Sequence, residues 1–206
     1  MKLLIIRHAE SNGNAAGGDY SVDNADALSP RGQSQAEALA PRLGAWDIGT
    51  VVVSPQQRAL QTIAPYLAAT SRTAEVWPEL AEACWQEERE PPADAWDSQP
   101  AALPRDIAKY FTWRDGQAIR PASWETFGTG LRRVYDALER IEKQFGSTKQ
   151  TILLAAHGFF IREMMNLMLK RPRPEAFDHD NCGMTLMTFS KEWNMEFRNR
   201  KGSGIS

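Results

Sequence analysis

Three short apolar runs in this chain are each followed, after a few residues, by a segment with helical periodicity. The runs cover residues 3–6 (LLII), 50–53 (TVVV) and 150–156 (QTILLAA). Apolar runs of this length are typical of strands that are buried on both faces of a sheet. Strands that alternate with helices predict a mostly parallel sheet with helices on both sides. We therefore expect an α/β fold, organised as a three-layer α/β/α sandwich.

Four segments carry helix signals. Ser29 is typical of an N-cap and Pro30 of a first helical position, whereas Pro41 predicts a kink or an early end of the same helix. Apolar residues recur at helical spacing in this segment and in two others. The four helices are expected to start at Ser29-Pro30, Ser54-Pro55, Ser123 and Phe159. The apolar face of the first is Ala36, Leu39, Ala40 and Leu43, that of the second is Leu60, Ile63, Ala64 and Leu67, and that of the third is Phe127, Leu131, Val134, Leu138, Ile141 and Phe145.

The C-terminal part and the middle of the chain differ from this pattern. Residues 184–189 and 193–198, joined by a polar turn, predict a hairpin at an antiparallel edge of the sheet. Between Cys84 and Pro121 the periodicity fades, and we expect short helices at most. No repeat or linker divides the chain. We therefore expect a single domain over residues 1–206, with an insertion at about 83–122 that caps the active site.

Composition excludes several classes of function. The 206 residues carry a net charge of -2, which gives no general attraction to nucleic acid or to an anionic membrane. No apolar run approaches the roughly 20 residues that span a bilayer, so we expect a cytoplasmic protein. Cys84 and Cys182 lack CxxC spacing, and the three histidines form no HExxH motif, so neither a disulfide nor a metal site is expected. A homodimer is the base-rate expectation for the oligomeric state.

Arginine and histidine residues stand where the three predicted strands end. Arg7-His8 follows the first strand, Arg58 lies shortly after the second, and His157-Gly158 follows the third. The carboxyl ends of parallel strands meet at one edge of a sheet, where ligands bind in open α/β folds. Guanidinium groups bind phosphate and a neutral imidazole is a nucleophile, so this edge predicts phosphoryl chemistry. Each residue alone also fits a solvated arginine or a core histidine, but their shared location favours a site.

These positions resemble the histidine phosphatase superfamily, also called the phosphoglycerate mutase-like proteins. Its opening signature, Arg-His-Gly-Glu-Thr-x-x-Asn, is similar to residues 7–14 (RHAESNGN), with Ala9 and Ser11 in place of glycine and threonine. Residues 28–36 (LSPRGQSQA) resemble the family's Leu-Thr-x-x-Gly-x-x-Gln-Ala segment. Residues 54–62 (SPQQRALQT) resemble its Ser-x-x-x-Arg-Ala-x-Gln-Thr segment, and His157-Gly158 resembles its second catalytic histidine and the glycine that follows.

The resemblance implies a role for each of these residues. His8 would attack phosphorus and form a phosphohistidine that water then hydrolyses, and His157 would be a second catalytic residue beside it. No metal or other cofactor is implied, because arginine and histidine side chains already neutralise the phosphoryl oxygens. The residues implied to bind phosphate are Arg7, Asn14, Arg58 and Gly158.

The family's remaining catalytic residue is a glutamate in a Leu-x-Glu segment. Residues 80–82 (LAE) fit this segment, which implies that Glu82 protonates the leaving oxygen and later accepts a proton from water. The following residues 83–86 (ACWQ) lack the glycines that are usual in the family. Three nearby glutamates therefore remain as alternatives: Glu79, Glu87 and Glu88.

The implied function is a metal-independent phosphomonoester hydrolase of the histidine acid type, acting on a small phosphorylated metabolite. Three tryptophans of the insertion are candidates to enclose that substrate: Trp85, Trp96 and Trp113. A cofactor-dependent phosphoglycerate mutase is the alternative, but it would need a second basic clamp, and the insertion has fewer basic than acidic residues. A non-catalytic protein that binds phosphorylated ligands would lack the nucleophile or the acid, and neither is missing. The sequence leaves the identity of the ester open.

Overall fold

The computed structural model describes residues 1–19, 21–82, 103–113, 125–171 and 175–201. Helices and strands follow one another in a βα order through most of these residues. In chain order they are β1 Lys2–Arg7, α1 Asn12–Ala15, α2 Pro30–Gly44, β2 Ile48–Val53, α3 Gln57–Thr70, β3 Ala74–Val76, a 3₁₀ turn Pro78–Leu80, α4 Arg105–Ala108, β4 Phe111–Thr112, α5 Phe127–Phe145, β5 Thr151–Ala156, α6 Gly158–Met168, β6 Met184–Phe189 and β7 Trp193–Arg200.

The strands of the described residues form one sheet in the order β4-β3-β2-β5-β1-β6-β7. Strands β1 to β5 are parallel to their neighbours within this group, and β6 and β7 add an antiparallel edge. The predicted mostly parallel sheet and the C-terminal hairpin are thus confirmed. Arg7 at the end of β1 pairs with Ala156 at the end of β5, and Val53 of β2 pairs with Ala155. The three strands therefore end level with one another.

Both faces of the central strands are buried, because side chains alternate between two apolar clusters. Leu3 and Ile5 of β1 pack into a cluster with α5 and α6, whereas Leu4 and Ile6 pack into a second cluster with α2 and α3. All four side chains are inaccessible to solvent. A strand covered by helices on both sides has no polar face, which explains its continuous apolar sequence. The three-layer α/β/α arrangement is confirmed.

A glycine lets helix α2 approach the loop after β1. A Cβ atom built on Gly32 would lie 1.9 Å from the carbonyl oxygen of Glu10, so only glycine fits without a shift of the backbone. Ser29 caps this helix by accepting a hydrogen bond from the Gly32 N–H at 3.0 Å, and its hydroxyl donates to Glu10 at 2.8 Å. The segment from Leu28 to Gly32 therefore anchors the loop that follows the Arg7-His8 pair.

The helices differ from the prediction at several ends. Helix α2 runs through Pro41 to Gly44, because Leu39 and Leu43 pack fully buried in the core and outweigh the hydrogen bond that proline removes. Helix α5 starts at Phe127 behind the N-cap Thr126, later than the predicted Ser123, and Phe127 is 39% exposed instead of buried. Among the described residues, no helix is both long and apolar enough to cross a membrane.

The described part of the predicted insertion, residues 103–113, contains a strand as well as a short helix. The expectation of short helices at most is therefore wrong for Phe111–Thr112, which pairs with β3 and extends the sheet. A strand of two residues is too short for a period-two pattern to appear in the sequence. Trp113 is partly buried against the cluster of α2 and α3. Trp85 and Trp96 lie outside the described residues, and the predicted cap over the active site stays a prediction.

Candidate active site

The level ends of β1, β2 and β5 bring two histidines and an arginine together. His8 and His157 directly follow paired residues of β1 and β5, and their ring centroids are 5.1 Å apart. Arg58 lies in the first turn of α3, and its Nε donates a hydrogen bond to Nε2 of His8 at 3.1 Å. All three side chains are buried, with 4% exposure or less. The structure thus assembles residues that are 50 and 149 positions from His8 along the chain.

Hydrogen bonds define which ring nitrogen of His8 carries a proton. Nδ1 lies 2.6 Å from the carbonyl oxygen of Ala9, which can only accept, so Nδ1 donates. The Arg58 guanidinium can only donate, so Nε2 of His8 accepts. The ring is therefore neutral, with its lone pair on Nε2 directed toward a cation. This is the protonation state that a nitrogen nucleophile requires.

Burial and charge keep both central histidines neutral. The pKa of His8 lies well below its ordinary value because the ring is buried and because Arg58 and Arg7 place positive charge beside it. The pKa of His157 is lowered in the same way, by burial first and then by Arg58. Both rings are thus uncharged at neutral pH.

Ser54 contacts the second histidine. Its hydroxyl lies 2.6 Å from Nε2 of His157, whereas Nδ1 of the same ring is buried and has no hydrogen-bond partner among the described residues. Ser54 had been expected to open α3, but the helix starts at Gln57 with Gln56 as its N-cap. The serine is instead the first residue after β2, where it faces the histidine that follows β5.

Arg7 reaches across the end of the sheet. Its Nη1 donates to the carbonyl oxygen of His179 at 2.6 Å, and its Nε is buried without a hydrogen-bond partner among the described residues. A Cβ atom at Gly158 would lie 3.6 Å from this Nε. That distance is an ordinary van der Waals contact, so Gly158 lies directly against the Arg7 guanidinium.

A loop carboxylate holds Arg58. Asp26 forms an ion pair with Nη1 of Arg58, and its second oxygen accepts a hydrogen bond from the N–H of Gln57 at 2.7 Å. The carboxylate therefore sits at the N-terminus of α3, where the helix dipole favours a negative charge. This contact leaves Nε of Arg58 directed at His8.

Of the predicted acidic residues, Glu82 lies against helix α6. Its Oε1 accepts a hydrogen bond from the N–H of Phe160 at 3.0 Å, three residues after His157. Glu79 points elsewhere, because its carboxylate pairs with Arg140 on α5. Glu87 and Glu88 lie outside the described residues.

Asn14 joins the loop after β1 to the segment before β6. Its Oδ1 accepts a hydrogen bond from the N–H of Ser11 at 3.3 Å and lies 3.4 Å from Nδ2 of Asn181. The same Asn181 nitrogen donates to the carbonyl oxygen of His8 at 2.9 Å. The two asparagines thus hold the backbone that carries His8.

Sequence reasoning did not single out Asp26, Ser54, Asn181 or the carbonyl of His179 as parts of this site. Asp26 and Asn181 occur in segments without periodicity, so nothing local distinguishes them from ordinary loop residues. Ser54 stood inside a recognised segment, but its position before a proline suggested a helix cap. A backbone carbonyl has no sequence signal at all. Only the positions of their distant partners show what these groups contact.

One protein-family model matches nearly the whole chain. Residues 3–199 match the model of the histidine phosphatase superfamily, branch 1. The chain belongs to this family. A comparison of the sequence with curated proteins finds no match.

Solved structures of histidine phosphatases show the same fold at low sequence identity. The alpha-ribazole phosphatase from Shigella flexneri has a TM-score of 0.71 and 22% identity, and the alignment covers 100% of both chains. A mycobacterial glucosyl-3-phosphoglycerate phosphatase complexed with VO3 has a TM-score of 0.67 and 21% identity, covering 97% of this chain and 99% of that one. The phosphoserine phosphatase H9A mutant from Entamoeba histolytica, complexed with phosphoserine, has a TM-score of 0.64 and 22% identity, with 96% of each chain covered.

Proposed function

We propose that this protein is a phosphomonoester hydrolase that acts on a small phosphorylated metabolite through a phosphohistidine at His8. The observation that carries the proposal is the neutral, buried His8, whose Nε2 lone pair faces Arg58 at 3.1 Å. A carbonyl fixes the opposite nitrogen, so the nucleophilic atom is already oriented. The low pKa of His8, caused by burial and two arginines, keeps this atom unprotonated.

Buried donors around His8 suit a phosphoryl group. Arg58 and Arg7 supply fixed positive charge, and Nε of Arg7 and Nδ1 of His157 have no partner among the described residues. Nδ1 of the neutral His157 is a donor in the tautomer whose Nε2 accepts the hydrogen of the Ser54 hydroxyl. Phosphoryl oxygens are strong acceptors for such donors, and preorganised donors stabilise the charge of the transferring group. On substrate binding, donors of Arg58 would move from His8 to these oxygens and release the lone pair for attack. Asn14 and Gly158, which lies against Arg7, complete the proposed phosphate site.

Glu82 supplies the proton transfers in this scheme. In the first step Nε2 of His8 forms a bond to phosphorus, the bond to the ester oxygen breaks, and Glu82 gives that oxygen a proton. In the second step water attacks phosphorus, Glu82 takes the proton of the water, and the bond to His8 breaks. Glu82 is favoured over Glu79 because it contacts the helix that begins after His157, whereas Glu79 pairs with α5.

The relatives support a small ester as substrate. The three solved relatives are phosphatases named for alpha-ribazole, glucosyl-3-phosphoglycerate and phosphoserine, and one was crystallised with phosphoserine. The sequence identities of 21–22% support the fold and leave the substrate of this chain to experiment.

A screen of phosphate esters tests the proposal. We expect release of inorganic phosphate from at least one metabolite ester and from an aryl phosphate, with no added metal. Isomerisation of a phosphoglycerate without net phosphate release would identify a mutase instead. Rapid quenching should trap phosphate on the protein that is labile in acid and stable in base, as phosphohistidine is. Binding of esters without turnover would contradict the proposal.

A further inference from the structure

Arg133 lies on α5 and contacts the segment that carries Glu82. Its Nη1 donates to the carbonyl oxygens of Glu79 at 2.7 Å and Ala81 at 2.8 Å, and its Nη2 donates to that of Glu82 at 3.1 Å. One guanidinium therefore binds three carbonyls of four consecutive residues. These carbonyls would otherwise be left at the end of a short 3₁₀ turn, where the turn itself provides no donors.

A buried carboxylate orients this arginine. Glu125 accepts hydrogen bonds from Nε and from Nη2 of Arg133, both at 2.7 Å, and is only 5% exposed. With the three carbonyls, these contacts use all five N–H donors of the guanidinium. The two-pronged pairing fixes the plane of the group and balances its charge. Lysine, with a single nitrogen at the end of its chain, cannot make the same set of contacts.

Glu82 is thus held at three places. Its N–H donates to the side chain of Gln56 at 2.8 Å, its carbonyl accepts from Arg133, and its carboxylate accepts from the N–H of Phe160. The first contact ties it to the loop before α3, the second to α5 and the third to α6. Of these three contacts, that of Arg133 extends to the carbonyls of residues 79 and 81, and so fixes the backbone that leads to Glu82.

We propose that Arg133 is a positioning residue, which with Glu125 fixes the backbone of residues 79–82 so that the Glu82 carboxyl meets the leaving oxygen. This inference rests on the proposed function of Glu82 as the proton donor. A proton donor must stand within hydrogen-bond reach of the oxygen it protonates, so a small displacement of its backbone lowers the rate steeply. The substrate's phosphate would be bound by Arg7 and Arg58, which lie on β1 and α3, outside this segment.

Substrates that differ in their need for a proton donor reveal such a role. For Arg133→Met we expect kcat/KM, which reports the phosphorylation step, to fall on the order of 100-fold for an alkyl phosphate, the size of loss that misplacement by about 1 Å causes. For an aryl phosphate with an activated leaving group, which departs without protonation, we expect a loss of kcat/KM of less than about threefold, since the hydrolysis step in which Glu82 accepts a proton does not enter this ratio. The Kd of inorganic phosphate should stay within about threefold, because Arg7 and Arg58 are unchanged.

The neighbouring arginine provides the matched control. Arg132 is 73% exposed, and its contacts with Asp136 and the ring of Tyr135 lie on the helix surface, so Arg132→Met should behave like the wild-type protein on both substrates. Arg133→Lys keeps the charge and part of the hydrogen bonding, so its loss on the alkyl phosphate should lie between those of the wild type and Arg133→Met. If Arg133→Met does not fold, as judged by circular dichroism, the lysine variant carries the same test.

A combined variant separates this inference from the proposed function. Glu82→Gln should show the same dependence on the leaving group, and Arg133→Met added to it should cause no further loss on the alkyl phosphate. Equal losses of kcat/KM on both substrates for Arg133→Met or Arg133→Lys, or an additive loss in the double variant, would overturn the positioning role while leaving Glu82 as the acid. A Glu82→Gln variant that loses kcat/KM equally on both substrates would instead overturn the role of Glu82 as the acid, and the inference about Arg133 with it.

Discussion

His157 and His179 are both buried histidines near the same edge of the sheet, yet their ring nitrogens end in different surroundings. At His179, Nδ1 lies 2.8 Å from the carbonyl of Phe177 and Nε2 lies 2.6 Å from the hydroxyl of Thr185. At His157, Nε2 contacts Ser54 but Nδ1 has no partner among the described residues. His179 is therefore satisfied within the fold, whereas His157 keeps a polar atom for a ligand.

A low pKa does not separate the two histidines. Burial lowers the pKa of His179 as it lowers that of His157, although His157 also faces Arg58 and His8. The distinction lies in the hydrogen bonds, since His179 uses both ring nitrogens within the fold, whereas Nδ1 of His157 is buried without a partner among the described residues. His8 differs from His157, because its ring nitrogens are bonded to Ala9 and Arg58, and the proposed attack requires Arg58 to release Nε2 to the substrate.

The largest effect is expected at His8. His8→Ala removes the proposed nucleophile, so kcat for an aryl phosphate should fall by a factor on the order of 10⁴ or more, with no phosphate trapped on the protein. Circular dichroism should show that the variant is folded, because the loss concerns chemistry and not packing. Turnover within tenfold of the wild type would show that His8 is not the nucleophile.

A matched pair of substitutions sharpens the contrast between His157 and His179. His157→Asn should lower kcat by roughly 10²–10³-fold, as removal of one stabilising donor does in other enzymes. His179→Asn should keep kcat within about tenfold and instead lower the free energy of unfolding by about 1–3 kcal/mol, because it leaves buried partners unbonded. Urea denaturation and steady-state kinetics measure the two quantities. If His179→Asn lowered kcat as much as His157→Asn does, the two histidines would not differ in their role in turnover.

The smallest effect concerns pH. A histidine kept neutral in the folded protein binds a proton only on unfolding, so its contribution to stability is present above the unfolded pKa of about 6.5 and is lost as the pH falls below it. Each such histidine should lower the free energy of unfolding by at most about 1.4 kcal/mol per pH unit below that value. His8, His157 and His179 all have lowered pKa values and should add to this slope.

Denaturation of the His8→Ala and His179→Asn variants at several pH values checks this prediction. Each variant should lose stability less steeply than the wild-type protein between about pH 6.5 and 5.5, because one histidine no longer takes up a proton on unfolding. A slope unchanged by either substitution would show that the replaced ring is protonated in the folded protein. Such a result at His8 would also argue against its role as a neutral nucleophile.

Much of the fold and the centre of the site could be predicted from the sequence. Residues 3–6, 51–53 and 152–156 are apolar because their strands are covered on both faces, and this requirement is visible in any such strand. Arg7 ends β1, and His8 and His157 directly follow β1 and β5, so the parallel topology predicted that they meet. Phe111–Thr112 was missed, because two residues carry no periodicity and their pairing with β3 depends on a distant segment.

By itself, the sequence determined the βα order, the sheet edge that carries the site and the residues that follow each strand there, because these depend on local periodicity and on the direction of the chain. The tertiary structure alone decided that His179 is satisfied by Phe177 and Thr185, that Asp26 holds Arg58, and that Arg133 binds the carbonyls before Glu82. Each of these depends on distances of a few ångströms between side chains or backbone groups. A hydrogen bond requires its partner at that distance and angle, and no pattern along the chain specifies either.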